Sequence, residues 1–300
     1  MDARVSFAAA ELPTLGLLSC MGDDARPFLQ AQLSSDIEGL AEDRARRAGW
    51  CTAKGRLLAT MLVVPHGSGY LLQVSRDIAP AVAKRLSMFV LRAKVRIEDV
   101  SSAWGQFGTW GPDASHHLST LGLGAPEAEL AIARADGATT VHIASQRFLV
   151  LLGGGARDRL ASAAVGTEDD WALLEIRDGI PRVAAATQDQ FVPQMLNLER
   201  LGAVDFKKGC YPGQEIVART QYRGVLKRRM IRARISAGAH AGETVYADDL
   251  PGQAAGMVVN AAGDGEVLVV VPIASLDAGH ALHAGAPDGP RLEPLALPYA

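Results

Sequence analysis

The chain has 300 residues, of which 48% are hydrophobic and 21% are charged, and its net charge at neutral pH is −3. This composition is that of a soluble globular protein, and it excludes wholesale disorder, collagen-like repeats and a coiled coil. The length suits about two domains. The near-neutral charge gives no overall attraction to nucleic acid or to an anionic membrane. Aromatic residues make up only 5% of the chain, so each one is informative.

The cysteines and the apolar runs bear on the compartment of the protein. Cys20, Cys51 and Cys210 are too few for a disulfide framework, and none lies in a C-x-x-C pair. The N-terminal residues show no apolar stretch typical of a secretory signal. Residues 57–75 carry no charge, but a proline and two glycines near the middle predict two strands about a turn rather than a membrane span. We therefore expect a cytoplasmic protein with free thiols and no membrane partner.

Residues 57–164 predict the same order of elements twice, a pair of strands followed by a helix. Such a duplication would give two lobes of mixed α and β structure. The predicted segments are strands at 57–64 and 70–74 with a helix capped by Asp77, then strands at 139–144 and 147–152 with a helical segment at 156–164.

The last quarter of the chain has a different pattern. Short strand candidates between residues 230 and 282 alternate with turns that contain glycine, aspartate or proline. This spacing predicts a small all-β barrel of roughly 75 residues. The predicted organisation is a body over residues 1–225 and a barrel domain over residues 226–300.

Residues 206–220 form the most unusual segment of the chain. Pro212 suits the first turn of a helix that would run to about Arg219. Cys210 would then lie just before a helix N-terminus with two lysines beside it in sequence, and both features favour a thiolate. From spacing alone, a reactive thiol and a small residue packed in a turn are equally good interpretations.

The sequence KGCYPGQE at residues 208–215 resembles the K-G-C-Y-x-G-Q-E signature of the YgfZ family of folate-binding proteins. The resemblance extends along essentially the whole chain. The other matching blocks are GDDARPFL at 22–29 with Gln32, Ser35 and Asp36, AKGR at 53–56, the segments 171–181 and 191–198, and Arg219, Gly224 and Lys227.

The resemblance implies an α+β fold like that of the glycine cleavage T protein, an aminomethyltransferase. Two α+β lobes would surround a central folate channel, and the small C-terminal β-barrel would close one side. The implied cofactor is tetrahydrofolate or a derivative. A mitochondrial branch of the family assists assembly of [4Fe-4S] proteins. We therefore expect an accessory factor for assembly or repair of iron–sulfur clusters, including those of tRNA-modifying enzymes, with Cys210 and Lys208 carrying the chemistry.

The resemblance also implies a set of folate contacts. Trp171 would stack on the pterin from a helix whose predicted capping box is Thr167 and Asp170, and core packing is the alternative for this ring. Family members can use a second tryptophan near the N-terminal strand, but residues 14–17 contain none. An arginine would pair with the anionic glutamate tail. The assigned contacts are Trp171, Asn197, Tyr211, Gln214, Glu215, Arg219 and Arg223.

One difference from the T protein bears on the reaction. That protein has an acidic pair against the reactive nitrogen of the folate, in the block that follows Gly55 here, whereas this chain has Ala59 and Thr60. General acid–base help for methylene transfer is therefore missing, and aminomethyl transfer is not expected. A tetrahydrofolate-dependent one-carbon transferase acting on a protein or tRNA is the alternative function. Whether the chain turns over a substrate at all is left open.

A run of basic residues follows the signature. Its alternation with apolar residues is typical of the wet face of a barrel strand, and docking of an acidic protein or of tRNA is the sharper interpretation. We find no interleaved aromatics to favour base stacking, so RNA is the less favoured of the two. Expected partners are folate and iron–sulfur client or assembly proteins, on a monomer. The basic residues are Arg219, Arg223, Lys227, Arg228, Arg229, Arg232 and Arg234.

Overall fold

The computed structural model describes residues 6–135, 137–160, 165–263 and 265–299. Within these ranges the chain forms strands and short α-helices in an α+β order. The elements are β1 Ala8–Glu11, β2 Leu15–Met21, α1 Ala25–Gln32, β3 Arg46–Cys51, β4 Leu57–His66, β5 Gly69–Ser75, α2 Ala79–Ser87, β6 Arg96–Asp99, β7 Trp104–Trp110, α3 Ala114–Thr120, β8 Ile132–Ala135, β9 Ala138–Ala144, β10 Arg147–Gly153, α4 Glu168–Arg177, α5 Gln214–Tyr222, β11 Arg228–Ile235, β12 Thr244–Ala247, β13 Gly256–Ala262, β14 Glu266–Pro272, α6 Ile273–Asp277, β15 Leu282–Ala284 and β16 Arg291–Leu295.

Two five-stranded sheets share one topology. Their strand orders are β3-β4-β5-β2-β6 and, read in the same direction, β8-β9-β10-β7-β1. In each sheet a strand is followed by a helix and then by three strands that lie side by side, and the central hairpins β4–β5 and β9–β10 are antiparallel. The two sheets therefore repeat one strand order, whereas the repeat predicted from the sequence is a strand pair followed by a helix.

Three details of the predicted lobes differ from the structure. Pro65 pairs with Tyr70 in the β4–β5 ladder, so the turn is shorter than predicted. The N-cap of α2 is Ile78 rather than Asp77. A 3₁₀ segment occupies Gly154–Arg159 where the second helix is predicted, and residues 161–164 of that prediction lie outside the described residues.

The start of α4 agrees with its predicted capping box. The Asp170 carboxylate accepts hydrogen bonds from the Thr167 backbone N–H at 2.9 Å and from the Thr167 hydroxyl at 2.7 Å. The Thr167 hydroxyl in turn accepts a hydrogen bond from the Asp170 N–H at 3.1 Å. This reciprocal pairing satisfies backbone donors that a helix start leaves open.

The C-terminal strands close into the predicted barrel, in the order β11-β14-β13-β12-β15-β16. Inward-facing apolar side chains fill it, among them Ala233, Val245, Val258, Val269 and Leu292. Their alternation with outward-facing residues is the period of two that strands impose. The first barrel strand begins at Arg228, and the domain boundary near residue 225 stays a prediction.

The chain divides into two compact units that do not follow its linear order. One comprises the chain up to Leu29 with Ile37–Arg47 and Met61–Trp171. The other comprises Gln30–Asp36, Ala48–Thr60 and the chain from Ala172 onward. The second unit therefore contains the cysteine signature together with most of the other blocks that carry the family resemblance, including the whole of 53–56 and 191–198.

Candidate functional site

The signature segment exposes Cys210 after a tight turn. The Asp205 carboxylate accepts hydrogen bonds from the backbone N–H groups of Lys207 at 2.7 Å and of Lys208 at 3.1 Å. An aspartate that bonds the backbone two and three residues later holds the chain in a defined turn. Cys210 follows in irregular backbone, and it is exposed to solvent.

Helix α5 begins at Gln214, two residues later than the sequence predicts. Pro212 lies in the preceding turn, and Gly213 caps the helix with φ +81°, in the left-handed region. A Cβ atom on Gly213 would lie 2.4 Å from the carbonyl oxygen of Thr52 and 2.6 Å from the Cα of Gly55. Only glycine combines this backbone conformation with so close an approach. The AKGR and KGCYPGQE blocks therefore meet at this point.

Lys208 is anchored by a third block, Gln30–Asp36. Its ammonium donates hydrogen bonds to the carbonyl oxygens of Gln30 and of Leu33, the latter at 2.6 Å. Burial lowers the pKa of Lys208 to about 8, and nearby anionic groups, Cys210 among them, oppose this shift in part. Lys208 is therefore a partly buried amine, fixed in place, that interacts electrostatically with the exposed cysteine.

Two serines of the same block hold the chain just before the signature. The Ser34 hydroxyl donates to the Ala203 carbonyl at 2.6 Å and accepts from the Gly49 N–H at 2.8 Å. The Ser35 hydroxyl donates to the Gly202 carbonyl at 3.1 Å. In the sequence, the family match at Ser35 marks this block as important. It does not indicate that the serines bind the backbone of Gly49, Gly202 and Ala203.

Tyr211 is buried, with 6% of its surface exposed. The Lys208 ammonium lies 5.0 Å from the centroid of its ring, within the range of a cation–π contact. The Tyr211 hydroxyl is buried and has no hydrogen-bond partner among the described residues. Burial raises the pKa of Tyr211 well above its usual value. The hydroxyl therefore stays protonated at neutral pH and is a buried donor that no described residue accepts.

The other two cysteines differ from Cys210 in their exposure to solvent. Cys20 and Cys51 are 0% and 2% exposed. Burial raises the pKa of each of these two thiols to about 12. Because the thiolate is the nucleophile and the metal ligand, neither has the reactivity expected of Cys210.

Thr60 stands where the resemblance to the T protein would require a carboxylate. Its hydroxyl accepts a hydrogen bond from the Val183 backbone N–H at 3.0 Å. Ala59 beside it is fully buried. Neither side chain can act as a general acid or base. The absence of aminomethyl transfer stays a prediction.

Trp171 lies in the core of the other unit and is 2% exposed. The Arg147 guanidinium lies 4.5 Å from the centroid of its ring, and the Trp110 ring lies 6.3 Å away. Its indole N–H is buried and has no hydrogen-bond partner within the described ranges. The arrangement agrees with the core-packing alternative for the ring, and the predicted pterin contact stays a prediction.

The remaining predicted folate contacts fall into two groups. Asn197 is fully buried, and its amide donates to the Met230 carbonyl at 3.0 Å and accepts from the Arg229 guanidinium at 2.6 Å. Asn197 thus holds the chain to the first barrel strand, and its role toward folate stays a prediction. The members of the second group, all on or next to α5 and at least partly exposed, are Gln214, Glu215, Arg219 and Arg223.

The basic run does not form one continuous surface. Arg229 is partly buried and pairs with Glu199 at 2.8 Å, and Arg232 is partly buried and lies 3.5 Å from Glu266. These two arginines neutralise buried carboxylates instead of facing a partner. The exposed members of the run are Arg219, Arg223, Lys227, Arg228 and Arg234.

Two further properties of the described residues concern membranes and metals. No α-helix there is both long and apolar enough to span a membrane. No group of three or more histidine, cysteine, aspartate or glutamate side chains there is placed to hold a metal ion.

Comparison with known proteins decides the family. The tRNA-modifying protein YgfZ of Vibrio vulnificus is 33% identical over 235 residues, which cover 77% of this chain and 71% of that protein. This chain belongs to the YgfZ family. A YgfZ relative from Pectobacterium carotovorum is 31% identical over 236 residues, 76% of this chain and 71% of its own. No protein-family model matches the chain.

The YgfZ chain has the fold of the glycine cleavage T protein. Its structure matches that of the glycine cleavage system aminomethyltransferase T from Bartonella henselae with a TM-score of 0.78 over 99% of this chain and 87% of that one. The sequence identity is 15%, so this likeness shows the fold alone. Both the family and the fold class expected from the sequence are confirmed.

Proposed function

We propose that the chain is a folate-binding accessory protein for the assembly or repair of iron–sulfur clusters, including those of tRNA-modifying enzymes. The observation that carries the proposal is the exposure of Cys210 beside the anchored amine of Lys208, while Cys20 and Cys51 are buried. Membership in the YgfZ family supports it, as does the name tRNA-modifying protein that the relatives bear.

The signature loop suits a thiol that acts on a large partner. Cys210 is exposed, so a protein or a cluster can reach its sulfur without opening the fold. Gly209 beside it has no atom within 4 Å of where a Cβ would lie, so the approach is open on that side. Lys208 supplies an amine that is fixed by the Leu33 carbonyl and that interacts electrostatically with Cys210.

Tetrahydrofolate fits an orphaned polar atom of the signature segment. The buried Tyr211 hydroxyl has no hydrogen-bond partner among the described residues. A pterin offers acceptors for such a donor and a flat ring for aromatic contacts. When bound, it would supply a reduced heteroaromatic ring that can carry a one-carbon unit. With Thr60 in place of a carboxylate, we assign the folate a binding role rather than aminomethyl transfer.

The decisive test of the thiol is Cys210→Ser at the native locus, with the activities of [4Fe-4S] enzymes measured in extracts. We expect these activities and the cluster-dependent tRNA modifications to fall, while enzymes without clusters are unaffected. Cys20→Ala is the control, because it removes a buried thiol and keeps Cys210. Unchanged cluster-enzyme activity in Cys210→Ser would refute the role of this cysteine.

Folate binding is tested separately with the purified protein. Tetrahydrofolate is titrated while tryptophan fluorescence is followed, in the wild type and in Trp171→Phe and Tyr211→Phe. We expect saturable binding by the wild type and weaker binding by at least one variant. If the wild type binds no tetrahydrofolate in the fluorescence titration or in a calorimetric titration, the folate part of the proposal is refuted.

A further inference from the structure

The end of α5 and the loop that follows it carry a cluster of unpaired cations. Arg219, Arg223 and Lys227 are exposed, and no carboxylate pairs with any of them in the part of the chain that the structure describes. Arg228 is also exposed, and its guanidinium makes one long hydrogen bond of 3.4 Å to the Ala254 carbonyl. Their partly buried neighbours Arg229 and Arg232 are paired with carboxylates. The positive charge is thus concentrated on one short stretch beside the signature.

An exposed aromatic ring lies within this cluster. Tyr222, the last residue of α5, is 70% exposed. The Phe206 ring contacts it edge-on at 5.9 Å with an interplanar angle of 69°, which supports the ring from one side. The sequence-based statement that no aromatic is interleaved with the basic run is therefore wrong, because Tyr222 lies between Arg219 and Arg223. We name Arg219, Tyr222, Arg223, Lys227 and Arg228 the α5 surface.

We propose that the α5 surface binds a single strand of RNA. Proteins that hold single strands combine a cationic track for the phosphates with exposed aromatic rings on which bases stack. Arg219 lies in the last turn of α5 and Arg223 is its C-cap, so the two are about 6 Å apart along the helix axis. Tyr222, next to Arg223 in the sequence, provides the exposed ring. This inference rests on the proposed function, since it names RNA as a partner of the chain that carries Cys210.

The composition of the α5 surface favours RNA over an acidic polypeptide. Protein interfaces bury apolar anchors at their centre, whereas nucleic-acid interfaces are more polar and much more positively charged. Four of the five residues of the α5 surface are cationic. The two exposed aliphatic residues nearby do not form an apolar core: Ile216 packs its Cβ close to Gly55, and Val225 stands alone at 86% exposed.

The experiment measures binding of the full chain to a fluorescein-labelled uridine 12-mer and to unmodified tRNA by fluorescence anisotropy. We expect affinity that falls steeply with salt. Tyr222→Ala should weaken binding by about 5-fold or more, whereas Tyr222→Phe keeps the ring and should stay within about 2-fold. Arg219→Glu with Arg223→Glu should weaken binding at least about 10-fold and flatten the salt dependence. Lys84→Glu with Arg92→Glu is the charge-matched control, because both residues are exposed and lie in the other unit.

Two results would overturn the proposal. The first is that the protein binds neither RNA at low salt, although its circular dichroism spectrum shows that it is folded. The second is binding of polyglutamate as tight as that of the 12-mer with no effect of Tyr222→Ala, which would identify an acidic polypeptide as the partner. If either result is found and Cys210→Ser still lowers the activity of cluster enzymes, RNA binding is refuted and the proposed function stands. If the chain binds RNA but Cys210→Ser leaves cluster-enzyme activity unchanged, the proposed role of Cys210 is refuted and RNA binding stands.

Discussion

Gly213 and Gly55 approach each other so closely that a Cβ atom on Gly213 would lie 2.6 Å from the Cα of Gly55. Both residues have positive φ, +81° and +70°. Gly55 lies in the turn between β3 and β4, and Gly213 caps α5. This backbone contact fixes the point where the chain leaves the Cys210 loop and enters the helix.

Gly213→Ala is expected to destabilise the fold by about 2–4 kcal/mol. A left-handed conformation costs an alanine about 1–2 kcal/mol, and forcing a methyl group into a filled space costs about 1–3 kcal/mol. Urea unfolding of the two proteins gives the difference. Gly209→Ala is the matched control: its Cβ would meet no atom within 4 Å, so we expect a change within about 0.5 kcal/mol. Equal stabilities of the two variants would contradict the contact.

A thiol reagent is expected to modify one cysteine of the folded chain and all three of the unfolded chain. Cys210 is exposed, whereas burial raises the pKa of Cys20 and Cys51 to about 12 and shields both from the reagent. The measurement is the number of thiols that react with Ellman's reagent at pH 7.5, without and with guanidinium. Cys210→Ser should abolish the reaction of the folded protein. A second reactive thiol in the folded wild type would show that a buried cysteine becomes exposed.

The sequence is most informative where function restricts the choice of residue. The segment around Cys210 combines two glycines, a proline and two lysines, and it carries the most specific part of the resemblance to the family that the comparison then shows. The barrel and the repeated lobes are also predictable, because strand periodicity and turn residues are local signals. Fold class and signature are thus within the reach of sequence reasoning.

The partners of the signature residues are not predictable, because they come from distant parts of the chain. Nothing local to Lys208 indicates that its amine binds the Leu33 carbonyl. The partners of the basic run are unpredictable for the same reason, because they also lie far away in the sequence. Alternation along a strand shows which residues face outward, but not that Arg229 and Arg232 find carboxylates across the fold.

Arg229→Met is expected to cost about 2–4 kcal/mol of stability. The Arg229 guanidinium binds the Asn197 amide oxygen at 2.6 Å and a carboxylate oxygen of Glu199 at 2.8 Å, and the two charged side chains are 25% and 13% exposed. Removing the arginine leaves a mostly buried carboxylate without its counterion. Urea unfolding measures the loss. Arg228→Met on the same strand is exposed and should change stability by less than about 0.5 kcal/mol. Comparable losses for both variants would refute the pairing argument.

The amine of Lys208 is expected to make the stability of the protein depend on pH in an alkaline window. Burial lowers its pKa from 10.5 to about 8 in the folded chain. Between these two values the unfolded chain therefore holds more protons than the folded chain, and the contribution of Lys208 to the free energy of unfolding rises with pH. Below pH 8 both states hold the proton, and the contribution is constant. The charged form is thus the one that burial penalises.

The measurement is the difference in unfolding free energy between the wild type and Lys208→Met at intervals from pH 7 to pH 10. Burial also raises the pKa values of Tyr211, Cys20 and Cys51, which gives an opposite slope, but these groups are present in both proteins and cancel in the difference. The difference should be flat up to about pH 8 and then move in favour of the wild type. Lys207→Met, at an exposed neighbour, should follow the wild type throughout. A constant difference for Lys208→Met across the window would mean that the Lys208 amine keeps its ordinary pKa in the folded chain. Burial would then not penalise the ammonium form that the carbonyl oxygens of Gln30 and Leu33 bind.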